Sequence, residues 1–293
     1  MKIQDIVKVA ALTLMAAALM PIRANANPGD IYVSYNGHAA IRGTIHDFAP
    51  NGTGTVFASG LNKPRGMVFD GAGNLFASIG GDGTVVKFAP NGTQSPVASG
   101  LGFPEGLGFD SNGNLYVADS GGALNKIAPD GTVSPVFSIT GAQFFGVAVD
   151  GVNNIYVVDG VGGVVYKFTP RGRLSTFASV PAAIGLAFDS AGNLFVSTQC
   201  EAFPAGNCTD PTIGGRIVKI TPSGIQTTFA SGLGDGDLRG LGFDALGNLF
   251  VADLGLAAGH DPSRAMVLKI TPTGLVSVFA SGVSNAEFVT IQP

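Results

Sequence analysis

Apolar positions along this chain come in short runs that alternate with single polar residues and are cut off by glycine, proline, asparagine or aspartate. Residues 67–69, 75–77, 85–88 and 97–98 form one such set. Runs this short, rich in β-branched and aromatic residues and bounded by turn formers, predict strands, and helices of ordinary length have no room between the turns. The set then recurs. A corner of the form apolar, Asp, two turn residues, Gly or Asn, Asn, apolar, aromatic stands at Asp70, Asp110, Asp150, Asp189 and Asp244, in steps of 40, 40, 39 and 55 residues, so the last step carries an insertion. A second motif follows the corners, at Pro50-Asn51-Gly52, Pro90-Asn91-Gly92, Pro129-Asp130-Gly131, Pro170-Arg171-Gly172, Pro222-Ser223-Gly224 and Pro272-Thr273-Gly274. Proline presets φ for the first central position of a turn and glycine supplies the left-handed residue after it, so each copy is a hairpin.

Self-similarity at this period marks a repeat architecture. With the apolar run ahead of each corner, every repeat holds four antiparallel strands, here A to D, and the whole reads as an all-β, six-bladed β-propeller. The ends complement each other. Residues 30–33 match strand B without a strand A ahead of it, and residues 287–291 match strand A alone. Pairing of the two would close the ring and hide the edges an open sheet exposes.

The segments Pro64-Arg65-Gly66-Met67-Val68-Phe69-Asp70 with Gly73-Asn74-Leu75-Phe76, and Pro104-Glu105-Gly106 with Asn114-Leu115-Tyr116-Val117-Ala118-Asp119, resemble NHL repeats, and the likeness extends over nearly all of residues 27–293. The resemblance implies a six-bladed propeller within a group that also holds gluconolactonase-like hydrolases, virginiamycin B lyases and peptidyl-amidating lyases. It implies little about activity. The gluconolactonase-like enzymes hold a divalent metal with Glu, Asn and Asp at the start of strand A; here that position offers Glu287 and Glu105 with Arg65 between them and Arg239 beyond, so no metal or other cofactor is expected. The amidating lyases use several channel histidines, whereas this chain has three in all: His46, toward the other end, and His38 and His260 in B to C connections of adjacent blades. The Glu-x-His of virginiamycin B lyase is absent. So are a Gly-x-Ser-x-Gly nucleophile turn, a phosphate-cradling loop and metal-type Cys or His spacing.

Candidate chemistry therefore falls to the positions that break the repeat. The B to C and D to A connections vary, and they share the end of the channel at which strand A begins, where loops on a rigid scaffold usually carry function. From blade one to six the rim residue there is Glu287, Arg65, Glu105, Phe145, Ile184 and Arg239: an arc of alternating charge facing an apolar arc. Strand B ends on the same face with Tyr35, Ile79, Asp119, Asp159, Thr198 and Asp253, whose aspartates either hold a ligand or cap the following turn. These residues predict a ligand-binding or interaction scaffold whose mouth takes a small molecule or a protein, with an acid recruiting Arg65 or Arg239. The alternative is a hydrolase or lyase of the gluconolactonase-like or virginiamycin B lyase-like group with a modified site. At the opposite end, Lys87, Lys126, Lys167, Lys219 and Lys269 occur in the same blades as the corner aspartates, which predicts an Asp to Lys pair within each blade.

Composition narrows the setting. Glycine is 44 of 293 residues, and charged residues are 12%, roughly half the usual quarter of a globular chain. Residues 1–26 place Lys2 and Lys8 ahead of an apolar run and end on Ala24-Asn25-Ala26, the pattern of a signal peptide cleaved before Asn27. The expected product, residues 27–293, is a single secreted or periplasmic domain. Its net charge of about −6, without Lys or Arg clusters, gives no footprint for nucleic acid or an anionic membrane, and a monomer is expected. Cys200 and Cys208 are the two cysteines, and an exported chain predicts a disulfide between them.

Overall fold

The computed structural model describes residues 27–37, 42–199, 215–233, 237–255, 265–282 and 285–293. The signal segment, the Cys200 to Cys208 disulfide, His38 and His260 all lie outside the described residues. Six four-stranded antiparallel sheets are arranged as blades, each in the order A, B, C, D. A single 3₁₀ turn, Gly80–Asp82, is the one helical element among the described residues. The ring closes as the ends predict: strand A of blade one, Ala286–Ile291, pairs with strand B, Ile31–Tyr35, in the register Ile31 to Ile291 and Val33 to Val289. Backbone bonds between Gly29 and Gln292, and between Gln292 and Asp30, extend that pairing beyond the strands.

Each corner aspartate builds its own turn. Oδ1 of Asp70 accepts the backbone N–H groups of Ala72 and Asn74 at 2.9 Å, and Oδ2 accepts the Asn74 amide at 2.7 Å. The same three bonds recur at Asp110, Asp150, Asp189 and Asp244. A carboxylate so engaged has little left for lysine. Of the five expected Asp to Lys pairs only Lys219 to Asp189 comes as close as 4.0 Å. Three of the five lysines instead lie over the aromatic residue they face across the strand pair: Lys167 over Tyr156 at 5.2 Å, Lys219 over Phe195 and Lys269 over Phe250 at 5.5 Å. Sharing a blade reflects two separate local roles, a turn and a cation–π contact.

Candidate functional site: the charged rim

The six innermost strands are Ala286–Ile291, Pro64–Phe69, Pro104–Phe109, Phe144–Val149, Ala183–Phe188 and Leu238–Phe243, for blades one to six. The second residue of each is the rim residue, and in five of them the third is glycine. A Cβ on Gly66 would lie 2.4 Å from the Glu105 carbonyl oxygen, one on Gly106 2.4 Å from that of Phe145, and one on Gly146 2.7 Å from that of Ile184. Neighbouring inner strands thus meet backbone to backbone, which only glycine permits. One residue deeper, Met67, Leu107, Val147, Leu186, Leu241 and Val289 are buried and close the channel to a cavity of about 40 Å³. The rim stands on an apolar floor.

Serines pin the charged arc. Buried Ser34 donates to the Arg65 carbonyl at 2.8 Å and accepts the Phe288 N–H at 3.1 Å. Ser78 donates to the Glu105 carbonyl at 2.6 Å, and Ser197 donates to that of Arg239 while accepting the Gly185 N–H at 2.9 Å. Each serine is the fourth residue of strand B and reaches into the next blade. The other blades carry Ala118, Val158 and Ala252 there, ahead of Phe145, Ile184 and Glu287. Three of the four charged rim residues therefore have their backbone fixed by a neighbour, and neither apolar one does.

Arg65 sits between two carboxylates, with Nη1 2.7 Å from Glu287 Oε2 and Nε 3.8 Å from Glu105 Oε1. Its guanidinium also covers the Phe103 ring at 5.3 Å, and the Lys63 ammonium lies 5.5 Å from that ring. Asn36 donates its amide to Glu287 Oε1 at 3.2 Å. Arg239, expected to continue the arc toward Glu287, is instead held side-on by Asp237: Nε to Oδ1 is 3.0 Å and Nη2 donates to Oδ2 at 3.2 Å. Asp237 was not singled out from the sequence, although Asp237-Leu238-Arg239 puts the two on one side of an extended segment. Asn36 and Phe103 were likewise missed. A cation would have to take the place between Glu105 and Glu287 that the Arg65 guanidinium fills, so a divalent metal does not fit this ring. Among the described residues, no three His, Cys, Asp or Glu side chains are grouped to hold one.

Asp237 tips the balance of charge. Among the described residues, Glu105, Glu287, Asp237 and the nearby Asp119 face two guanidinium groups, with the Lys63 ammonium beside Phe103. Glu105 is 3% exposed, and its carboxyl is pushed up to about 7, by burial foremost; Arg65 and Arg239 pull it down, while Glu287 and Asp119 push it further up. Burial also raises Asp237, against the pull of Arg239. For Arg239 burial is the largest influence and would lower it, yet Asp237, Glu287 and Glu105 together hold it above its usual value. The contacts are ionic more than they are aligned hydrogen bonds. Arg65 Nε, Glu287 Oε2, Asp237 Oδ1 and Arg239 Nε are buried with no hydrogen-bond partner among the described residues.

The strand B aspartates are occupied by backbone. Asp119 accepts the N–H groups of Phe103 at 3.0 Å and Gly121 at 2.8 Å. Asp159 accepts those of Gln143, Val161 and Gly162 at 3.1, 3.2 and 3.0 Å, and Asp253 accepts that of Gly255 at 3.2 Å. They tie the connecting loops to the strands. On the apolar arc Ile184 is buried, and half-buried Phe145 packs its ring on the backbone of Gly160. Tyr35 is buried edge-on against His46 at 4.6 Å, and burial lowers the affinity of His46 for a proton.

No protein-family model and no curated protein sequence matches the chain. Solved structures do. A chain of a nidogen–laminin complex is similar at 15% identity and a TM-score of 0.70, over 90% of this chain and 98% of that one. Virginiamycin B lyase from Staphylococcus aureus is similar at 14% identity and 0.61, over 87% and 85%. A gluconolactonase from Xanthomonas campestris is similar at 17% identity and 0.62, over 92% and 91%. At such identities the likeness is one of fold alone.

Proposed function

We propose that this exported propeller is a binding scaffold whose rim takes a small amphipathic ligand, with a basic or hydrogen-bond-donating head at Glu105, which Arg65 approaches only to 3.8 Å, and an apolar part against Phe145, Ile184 and Phe103. The observation that carries this reading is the buried charged cluster with carboxylates in excess and hydrogen-bonding capacity left unfilled. Asp237 changes the ligand class, because an acid would add to an existing surplus of negative charge. An amine would relieve it. A basic head also favours the ionised form of Glu105, so affinity should rise with pH up to about 7 and level off above it. Thermal-shift titration with amphipathic amines and with acids of the same skeleton tests this. Amines should stabilise the wild type and lose most of that effect in Glu105→Gln; stabilisation by the acids alone would overturn the reading.

The carboxyl of Glu105, poised near neutral pH beside Arg65, favours a second reading. A carboxyl so placed suits general acid or base catalysis, and the similar folds include a lyase and a gluconolactonase. Turnover of a lactone or a lyase-type substrate, abolished by Glu105→Gln, would replace the scaffold reading with this one.

A further inference from the structure

Strand D carries a β-bulge in every blade, and the bulge residue is re-aimed onto the face that strand B presents to the next blade. In four blades it is phenylalanine. Phe57, Phe177, Phe229 and Phe279 stand edge-on to the aromatic second residue of strand B, at 5.1 Å from Tyr32, 5.0 Å from Tyr156, 5.1 Å from Phe195 and 5.0 Å from Phe250. Phe69, Phe188 and Phe243 of the following blades complete three of these sets at 5.0, 5.1 and 4.9 Å. Blades two and three differ. Their bulge residues are Val97 and Val136, each preceded by Ser and Pro.

In blade two the rest of the set remains. Phe76 keeps its edge-on contact with Phe109 at 5.0 Å, but it is half-buried where Tyr32, Tyr116, Tyr156, Phe195 and Phe250 are all buried. A cavity of about 700 Å³ opens at this place, lined among others by Phe76, Lys87, Val97, Phe109 and Ile127. Lys87 is the cross-strand partner of Phe76, the position from which Lys167 lies over both Tyr156 and the bulge ring of Phe177 in blade four. In blade three Val149 replaces the third ring as well, so the smaller cleft there, about 420 Å³, is lined by Tyr116 and Phe168, which do not form an edge-on pair like that of Phe76 and Phe109.

We propose that the cleft between blades two and three binds a free, uncharged, electron-rich aromatic ring of the phenol type, seated where four other blades place their bulge phenylalanine. Phe76 and Phe109 offer it an edge-to-face partner and Lys87 a cation over its face. Asp70, Asp110 and Asp130 border the cleft, which disfavours an anion; the first two are each satisfied by their own corner and do not call for a cation. The volume falls within the range of small-molecule pockets and leaves room for substituents. This site lies at the corner end, away from the rim, and stands or falls independently of it.

The test is saturable binding of p-cresol to the chain from Asn27 to Pro293, followed by ligand-observed NMR and thermal shift, with 4-methylcyclohexanol as a match lacking a π face. p-Cresol should bind at least about tenfold more tightly than the saturated alcohol. Val97→Phe should raise the melting temperature and abolish binding, Lys87→Met should weaken binding without loss of fold, and Val136→Phe should leave it unchanged. Absence of saturable binding, equal binding of the two alcohols, or wild-type affinity in Val97→Phe would overturn the proposal. If Val97→Phe does not fold, Lys87→Met decides: unchanged p-cresol affinity overturns it.

Discussion

The two ends of this propeller use the same residue types in opposite ways. At the corner end each aspartate is consumed within its own turn by two backbone N–H groups and one asparagine, five times over. At the rim Arg65 of blade two meets Glu287 of blade one and Glu105 of blade three across the blade boundaries, while Arg239 is held by Asp237 of its own segment. Local satisfaction repeats because every blade needs the same turn. Satisfaction between blades depends on neighbours that differ, and at the rim it leaves buried atoms without a hydrogen-bond partner among the described residues. A repeat shows where structure is made, and its exceptions show where chemistry is available.

The largest expected effect tests whether the ring itself holds the rim together. Removing residues 288–293 takes away most of the inner strand of blade one, and the truncated chain should lose its cooperative unfolding transition; an unchanged melting curve would contradict the closure. Next, a methyl group distinguishes the two ends. Gly106→Ala forces a Cβ to within 2.4 Å of a backbone carbonyl, and should cost about 3 kcal/mol or more in denaturant unfolding. Gly71→Ala at a corner, where a Cβ meets nothing within 4 Å, should stay within about 0.5 kcal/mol of the wild type. Equal costs would remove the distinction.

Turn chemistry comes third. Asp150 accepts from Val152, Asn154 and the Tyr156 hydroxyl, so Asp150→Ala should destabilise by about 2 kcal/mol. A neutral result would mean the corners are held by backbone bonds alone. The smallest effect belongs to Lys219→Met, which removes a partly exposed pair at 4.0 Å and the cation over Phe195 and should cost less than about 1 kcal/mol; a larger loss would contradict the reading of both contacts as weak.

The fold was legible because its hairpin is written six times and its corner five, with complementary half-repeats at the ends. The rim positions were legible too, since register alone brings Arg65, Glu105 and Glu287 to the head of neighbouring strands. What could not be read was which charge takes which partner. Asp and Lys occur together in five blades, yet the aspartate serves a turn in all five and the lysine lies over a ring in three, a distinction that depends on side-chain reach. Arg239 went to Asp237 because the nearer carboxylate lies on its own segment. The raised proton affinity of Glu105 follows foremost from its burial at the glycine girdle and apolar floor, both visible in the sequence as residues but not as a buried environment. Val97 is likewise plain in an alignment of the strands, while the space it opens depends on a bulge that turns the side chain toward the next blade.

Glu105 is a buried carboxyl with Glu287 and Asp119 close enough to raise it further. Carbon-detected NMR titration of its carboxyl group measures this directly, with Glu105→Gln for assignment. The predicted midpoint is near 7. A folded-state value raised above the ordinary 4.5 means the native protein holds this proton more tightly than the unfolded chain does, so stability should fall as pH rises from about 4.5 to about 7, by on the order of 3 kcal/mol at most. Glu105→Gln should flatten that slope. A midpoint near 4.5, with the same pH dependence in wild type and variant, would show a solvated or fully paired rim and contradict the account.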